Sequence, residues 1–360
     1  MQNDKFVLIL AGGVGSRFWP KSTSRLPKQF LDILGVGKTL IQQTWERARC
    51  MVEAENILVS TTAAYAEIVR AQLPELPPNN IIVEPARRNT APSITYGMMK
   101  VIKRNPNAAV MVCPSDHLII KHDLFCSLCN EILDYALTHD HLITLGIKPH
   151  SPHTGYGYIQ YVSPAQQKGV YQVKTFTEKP TEEIAKVFLD SGDFLWNAGI
   201  FFWKVPTYMD AIGQFLPEMK AVFEQNEISF DTDKEVLAVN NFYPRLENES
   251  IDYALLEKAR NVFVVPAEVG WSDLGAWGAL HEHLPKDENN NAVVGKKYLL
   301  YDAADNIIHL SDQKMAVIEG LEGFIVVDTP NALLICRKSN EQRVRDFVKD
   351  VRVMEGDHFV

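Results

Sequence analysis

These 360 residues predict an α/β protein: a mostly parallel sheet with helices on both faces, followed by a small β-rich region at the C-terminal end. Three observations carry that expectation. Short apolar, β-prone runs alternate with helical segments through the first half of the chain, the pattern of strand–helix–strand units. A glycine-rich turn follows the first such run, at the sheet edge where folds of this kind bind ligands. After a polar, turn-forming stretch at residues 285–291, short β runs succeed one another with no helix until about residue 340.

Residues 6–10, Phe-Val-Leu-Ile-Leu, form a continuous apolar run, as expected of a strand buried on both faces. A helix over residues 40–49 precedes a second strand at 57–60, and residues 63–72 read as the next helix. Residues 81–83 form a third strand, followed by a helix over 93–104. The fourth, at 109–112, runs directly into Cys113-Pro114-Ser115-Asp116-His117, and residues 142–146 form a fifth. Strands and helices in this order imply mainly parallel pairing with right-handed crossovers. From about residue 154 the texture changes. Thr154-Gly155-Tyr156-Gly157-Tyr158 is turn-rich, and Glu178-Lys179-Pro180 ends a strand-like run at 172–177, consistent with an inserted substrate-binding region. Trp271-Ser272-Asp273-Leu274-Gly275-Ala276-Trp277 closes this part. The later β runs are 297–301, 306–310, 315–318, 324–327 and 332–336, and a helix over 340–351 places Val344, Phe347, Val348 and Val351 on one face. The division expected is residues 1–285 and 286–360, the latter holding no cluster of ionisable groups.

A content of 46% hydrophobic and 22% charged residues is ordinary globular material. A net charge of -9 argues against a nucleic-acid partner, which demands a basic face. An acidic protein that binds a polyanionic nucleotide has to concentrate cations locally and recruit a divalent metal. No apolar run approaches the ~20 residues of a membrane span. Met1-Gln2-Asn3-Asp4-Lys5 leads straight into a core strand, so no signal peptide is expected. The five cysteines are odd in number and scattered, which places reduced thiols in the cytoplasm. Cys126-Ser-Leu-Cys129 has metal-like spacing but no second pair. Leu124, Phe125, Leu128, Ile132 and Leu133 around it give a helical apolar pattern, so both cysteines are assigned to core packing.

Gly12, Gly13 and Gly15 follow the first strand at once, and Arg17 and Lys28 add two cations. A loop poor in Cβ atoms lets backbone N–H groups close on a phosphate. Strand, glycine loop, Arg and Lys together describe a triphosphate site. The dinucleotide fingerprint needs a small residue where Phe18 stands, which disfavours a dehydrogenase. The Gly-Lys-Thr type of phosphate loop fails as well, because Asp32 occupies the position of the first glycine before Gly37-Lys38-Thr39.

What remains is G-G-x-G-x-R…P-K, and here the sequence resembles the sugar-1-phosphate nucleotidyltransferases. The extended form, with Trp19, Pro20 and Pro27-Lys28-Gln29-Phe30, is similar to their mannose-1-phosphate guanylyltransferase branch. The resemblance spans roughly residues 5–350 and implies a Rossmann-like mixed sheet of the nucleotidyltransferase (GT-A-like) kind, with catalysis in residues 1–285. It implies nucleotide contacts from Leu10, Ala11, Gly12, Gly13, Gly15, Ser16, Arg17 and Lys28, from Glu84, Asn89, Thr90 and Ala91 on the guanine side, and from Ser115 and Asp116. It implies sugar-phosphate contacts from Gly155, Tyr156, Gly157, Glu178, Lys179, Asn197 and Gly199, and a Mg²⁺ held by Asp116 and Asp273. Ala198 stands where the family often has Ser. Taken alone, Asn89 or Thr90 reads equally well as a helix N-cap.

The implied reaction joins GTP and mannose 1-phosphate into GDP-mannose and pyrophosphate. Its acceptor is a phosphate already largely ionised at neutral pH, with a second pKa near ~6, so no general base is required. Catalysis then rests on in-line alignment and charge neutralisation by Arg17, Lys28, Asp116 and Asp273, with Lys179 on the acceptor phosphate. A nucleotidyltransferase for another base and sugar, and a non-catalytic nucleotide-sugar sensor, are the alternatives. A homodimer is expected, with neither nucleic acid nor membrane as partner.

Overall fold

In the computed structural model, residues 4–165, 169–311 and 313–360 are described. Residues 1–3, read above at the N-terminus, lie outside them. Two compact units make up the chain and cut across its linear order. The first comprises Met1–Gly12, Trp45–Ser115 and Ile119–Trp271; the second comprises Gly13–Thr44, Asp116–Leu118 and Ser272–Val360. The boundary expected at 285/286 is one of linear order and these units are spatial.

The strands, in chain order, begin with β1 (Lys5–Leu10), β2 (Ile57–Thr62), β3 (Ile81–Glu84), β4 (Ala109–Pro114), β5 (Leu118–Ile119), β6 (Leu142–Ile147), β7 (Tyr158–Tyr161) and β8 (Tyr171–Thr177). There follow β9 (Phe194–Lys204), β10 (Val262–Pro266), β11 (Trp271–Ser272), β12 (Ala292–Val294), β13 (Tyr298–Tyr301), β14 (Ile307–His309), β15 (Ala316–Glu319), β16 (Phe324–Asp328) and β17 (Leu333–Arg337).

A nine-stranded sheet of order β3-β2-β1-β4-β9-β6-β10-β8-β7 forms the first unit. Its β3-β2-β1-β4 half is parallel, as the early strand–helix alternation demands. The other half is mixed: β9 runs antiparallel to both β4 and β6, and β8 antiparallel to β10. The mixed sheet is thus parallel through β3-β2-β1-β4 and again between β6 and β10. The antiparallel β9 between them is buried along nearly its whole length, and a continuous apolar strand carries no signal of its direction.

In register, Leu10 pairs with Ser60 on one side and with Pro114 on the other, so the C-terminal ends of β2, β1 and β4 lie side by side. Glu84 closes β3 beside Thr62. Phe6, Leu8, Val110 and Val112 from the sheet pack with Tyr208, Phe223 and Tyr243 in one buried cluster. The expected helix over 93–104 begins earlier, at Thr90, and runs to Arg104.

The second unit contains a four-stranded sheet, β12-β14-β16-β17, and the parallel pair β13–β15. The last helix is Val344–Glu355, entered through a 3₁₀ segment at Lys338–Arg343. Its Val344 and Val348 are buried against Phe18, Trp19, Ile33, Ile325 and Val327, with Phe347 and Val351 packed alongside. The terminal strands and helix thus share one core with the segment that follows the glycine loop. Trp19 Nε1 donates to the Phe359 carbonyl at 2.7 Å and Ser24 Oγ to that of Val360 at 2.6 Å. Among the described residues no helix is long and apolar enough to cross a membrane.

Candidate active site

In the second unit, Arg17, Lys28, Asp116 and Asp273 are brought together. After Gly15 the chain turns through a 3₁₀ segment at Ser16–Phe18, and a second such segment, Lys28–Phe30, presents Lys28. Gly15 has φ +63°, and a Cβ there would stand 2.7 Å from the Lys28 Cβ, so both conformation and space require glycine. Gln29 Nε2 donates to the Gly13 carbonyl at 2.8 Å and Ser22 Oγ to that of Val14 at 3.1 Å, which holds the loop from below.

Lys28 is only 4% exposed. Its ammonium lies 2.9 Å from Asp116 Oδ2 and donates to the carbonyls of Asp273 at 2.8 Å and Leu274 at 3.0 Å. An ammonium has three N–H donors, and all three are thereby directed at protein oxygens. Arg17 Nη1 donates to the Gly275 carbonyl at 3.4 Å, and Gly275 N–H donates to Asp273 Oδ1 at 2.9 Å. Burial pushes the Asp116 carboxyl up, but Lys28, His117 and hydrogen bonds outweigh it and leave the group below its ordinary 3.8. Of the two aspartates, Asp116 meets the ammonium through its carboxylate and Asp273 through its backbone carbonyl, the Asp273 carboxylate accepting from Gly275 N–H. Carboxylate oxygens are hard donors of the kind Mg²⁺ takes alongside phosphate and water.

The residues expected on the base side lie in the first unit. Glu84 is buried, and both oxygens of its carboxylate accept hydrogen bonds: Oε1 from Ser60 Oγ at 2.9 Å and Ser93 Oγ at 3.0 Å, and Oε2 from Tyr243 Oη at 2.5 Å. Burial raises this carboxyl above its ordinary value, against the three hydrogen bonds and Arg87. Gly12 passes directly over it, since a Cβ there would lie 3.8 Å from Oε1. Ala11 N–H donates to the Ser60 carbonyl at 2.7 Å, and Ser115 N–H to that of Leu10 at 3.0 Å, fixing the loop's origin on the sheet. Asn89 is exposed, with φ +66°, and its Oδ1 accepts from Thr90 N–H at 3.0 Å. The N-cap alternative is therefore present in the fold. Thr90 Oγ1 accepts from Ile251 N–H at 2.9 Å and Ala91 N–H donates to the Glu249 carbonyl at 3.0 Å.

The residues expected on the sugar side form a second cluster in the first unit. Asn197 lies on β9 opposite Gly146, where the β6–β9 register shifts, and such irregularities re-aim side chains. Its Oδ1 accepts from Thr144 Oγ1 at 2.9 Å and Gly199 N–H at 3.1 Å, and its Nδ2 donates to Asp252 Oδ1 at 2.9 Å. Asn197 N–H donates to the Gly157 carbonyl, and Lys179 N–H to that of Tyr156, which ties the Gly155–Gly157 turn to both motifs. Glu178 Oε1 accepts from Lys179 Nζ at 2.6 Å, while Glu178 Oε2 is buried with no hydrogen-bond partner. An orphaned carboxylate oxygen of this kind is suited to a ligand hydroxyl. Burial alone pulls the Lys179 amine down, yet Glu178 and then Asp252 hold it above its ordinary value. Tyr156 stacks on His153 at 3.9 Å and meets Trp196 and Trp271 edge-on at 5.0 and 5.3 Å.

Sequence reasoning missed Asp252 and Thr144, the two partners of the Asn197 amide. Burial first, and then the charge of Glu178, push the Asp252 carboxyl up to about 7. The only signal for it was an acidic residue inside the apolar segment Ser250-Ile251-Asp252-Tyr253-Ala254.

The family model described as nucleotidyl transferase matches residues 6–290, and that of the MannoseP isomerase/GMP-like beta-helix domain matches residues 296–351. A mannose-1-phosphate guanylyltransferase of Salmonella montevideo is 34% identical, over 98% of this chain and 74% of that protein. One from Klebsiella pneumoniae is 33% identical, over 95% of this chain and 73% of its own length. Among solved structures, a protein from Thermus thermophilus titled mannose-1-phosphate geranyltransferase superposes with a TM-score of 0.87 at 27% identity, covering 97% of this chain and 99% of that one.

Proposed function

Because the chain belongs to the nucleotidyl transferase family, we propose that it transfers the guanylyl group of GTP to mannose 1-phosphate, giving GDP-mannose and pyrophosphate. The observation that carries this reading is the agreement of relatives with that name across nearly the whole chain, together with a site of matching chemistry. An oxygen of the sugar phosphate attacks the α-phosphorus in line; the bond from that phosphorus to the bridging oxygen breaks, and pyrophosphate leaves. No proton has to be removed from the attacking oxygen.

Arg17 and the glycine-loop amides meet the triphosphate. Lys28 holds Asp116 and the Asp273 backbone in place and neutralises charge there. Asp116 and Asp273 would hold Mg²⁺, which supplies charge neutralisation at the phosphates when bound. Glu178 Oε2 and the Asn197 amide take sugar hydroxyls, and Lys179 the acceptor phosphate. Glu84 supports Gly12 from beneath, and Asn89, Thr90 and Ala91 border the base. Catalysis is assigned to residues 1–285, with residues 286–360 as the supporting β region. Exposed Leu299, Val317, Leu333 and Ile335 on the terminal strands support a homodimer, and five free cysteines support a reducing, cytoplasmic setting.

The test is a matrix of four nucleoside triphosphates against mannose and glucose 1-phosphates with Mg²⁺, read by pyrophosphate release. The GTP–mannose pair should exceed every other by at least tenfold. A preference for UTP or dTTP would move the protein to another nucleotidyltransferase, and binding without turnover would make it a sensor.

A further inference from the structure

The first unit holds a group of soft donors that none of this chemistry uses. Helix Leu40–Arg49 ends just before Cys50, and helix His122–Thr138 carries His122 and Cys126 one turn apart on the same face. One ligand atom from each of Cys50, His122 and Cys126 lies within 4.8 Å of the other two, and no other such group occurs among the described residues. His122 Nδ1 is 3.9 Å from the Cys126 sulfur. Cys126 and Cys129 are both buried, as their core assignment anticipated, and Cys126 in addition meets a histidine at i−4 and the cysteine that follows another helix.

We infer that Cys50, His122 and Cys126 bind a thiophilic divalent cation of the zinc class. Two thiolates and an imidazole are the donors such an ion selects over Mg²⁺, which takes oxygen. Tetrahedral ligands at ~2.3 Å from zinc stand ~3.8 Å apart, so closure requires a movement of about an ångström. Cys50 is exposed and His122 half-exposed, which provides an entry path and leaves a fourth position for water. His122 Nδ1 also stands 3.4 Å from Asp123 Oδ1, a long contact to an exposed carboxylate. Ligation by thiolate releases the thiol proton to solvent.

The experiment is titration of the reduced, chelator-treated full chain with Co²⁺ as a spectroscopic probe. One equivalent should give sulfur-to-cobalt charge-transfer absorption with tetrahedral d–d bands, displaced by Zn²⁺ and untouched by excess Mg²⁺. Cys50→Ser, an exposed change that leaves the core intact, should remove the charge-transfer band and weaken binding by more than ~100-fold. Cys336→Ser should change neither. Absence of the band with wild-type protein, or its persistence in both Cys50→Ser and His122→Gln, overturns the inference.

Discussion

Replacing Gly157 by alanine isolates one contact of the sugar-side cluster. A Cβ at this position would lie 2.4 Å from Glu178 Oε2, 3.3 Å from the Asn197 Cβ and 3.4 Å from Phe176 Cε1. The φ of Gly157 is not positive, so backbone strain does not contribute. Glu178 must instead retreat by about an ångström, although its side chain is only 8% exposed and is held by Lys179. Inserting a methyl into a packed site costs ~1–3 kcal/mol. If that cost falls on the bound state, kcat/KM for the sugar 1-phosphate drops by roughly 5- to 150-fold. Initial rates with each substrate varied in turn should show the loss confined to the sugar phosphate, with KM for GTP within about threefold of wild type. Glu178→Ala removes the obstructing oxygen, so the glycine substitution should add little in that background. Unchanged kinetics in a folded Gly157→Ala protein would refute the reasoning, as would effects of the two substitutions additive to within ~0.5 kcal/mol.

Other substitutions probe the same constellation. The Asp252 carboxyl has a folded-state value of about 7 against an ordinary 3.8, so its contribution to stability is complete below pH 4 and is lost as pH rises through 7. Asp252→Asn should therefore gain stability relative to wild type between pH 5 and pH 8, with a ceiling of about 4 kcal/mol; a pH-independent difference in urea unfolding would contradict this. Lys28→Met leaves Asp116 without its ammonium and should cost ~2 kcal/mol, less than a fully buried pair because the Asp116 side chain is 32% exposed. A loss under ~0.5 kcal/mol would count against that account. Tyr243→Phe strips one donor from buried Glu84 and should cost ~1–3 kcal/mol, more at alkaline than at acid pH; equal cost at both would argue that Glu84 is neutral throughout. Asp116→Asn and Asp273→Asn should each reduce turnover by ~100-fold or more, and near-normal rates at saturating Mg²⁺ would remove either from its role.

What could be read from the sequence followed the physics of each segment. Residues 6–10, 57–60 and 109–112 declared themselves because a central parallel strand is apolar on both faces. The glycine loop was legible because its residue types are constrained by backbone geometry, as Gly15 shows. Phe194–Lys204 was harder: its Asn197 and Gly199 drew attention as a ligand motif, and the eleven-residue strand around them went unrecognised. Asp252 was invisible because its partners Asn197 and Glu178 are 55 and 74 positions away, and no local periodicity encodes such pairings. Nor did composition reveal that Lys28 would be buried. Only the fold brings the carbonyls of Asp273 and Leu274 to its ammonium.

Gly13–Thr44 and Ser272–Val360 share one unit, although synthesis separates them in time. A ribosome releases the glycine loop among the first residues of the chain, yet the strands and helix that share its core come last. The 227 residues between Thr44 and Ser272 take ~11–45 s to synthesise at ~5–20 residues per second. For that interval Phe18, Trp19 and Ile33 have none of their C-terminal partners, and they constitute exposed apolar surface on a nascent chain. Pulse-labelled intermediates should therefore be most vulnerable to proteolysis within residues 13–44, and protection there should appear only after the last helix has emerged.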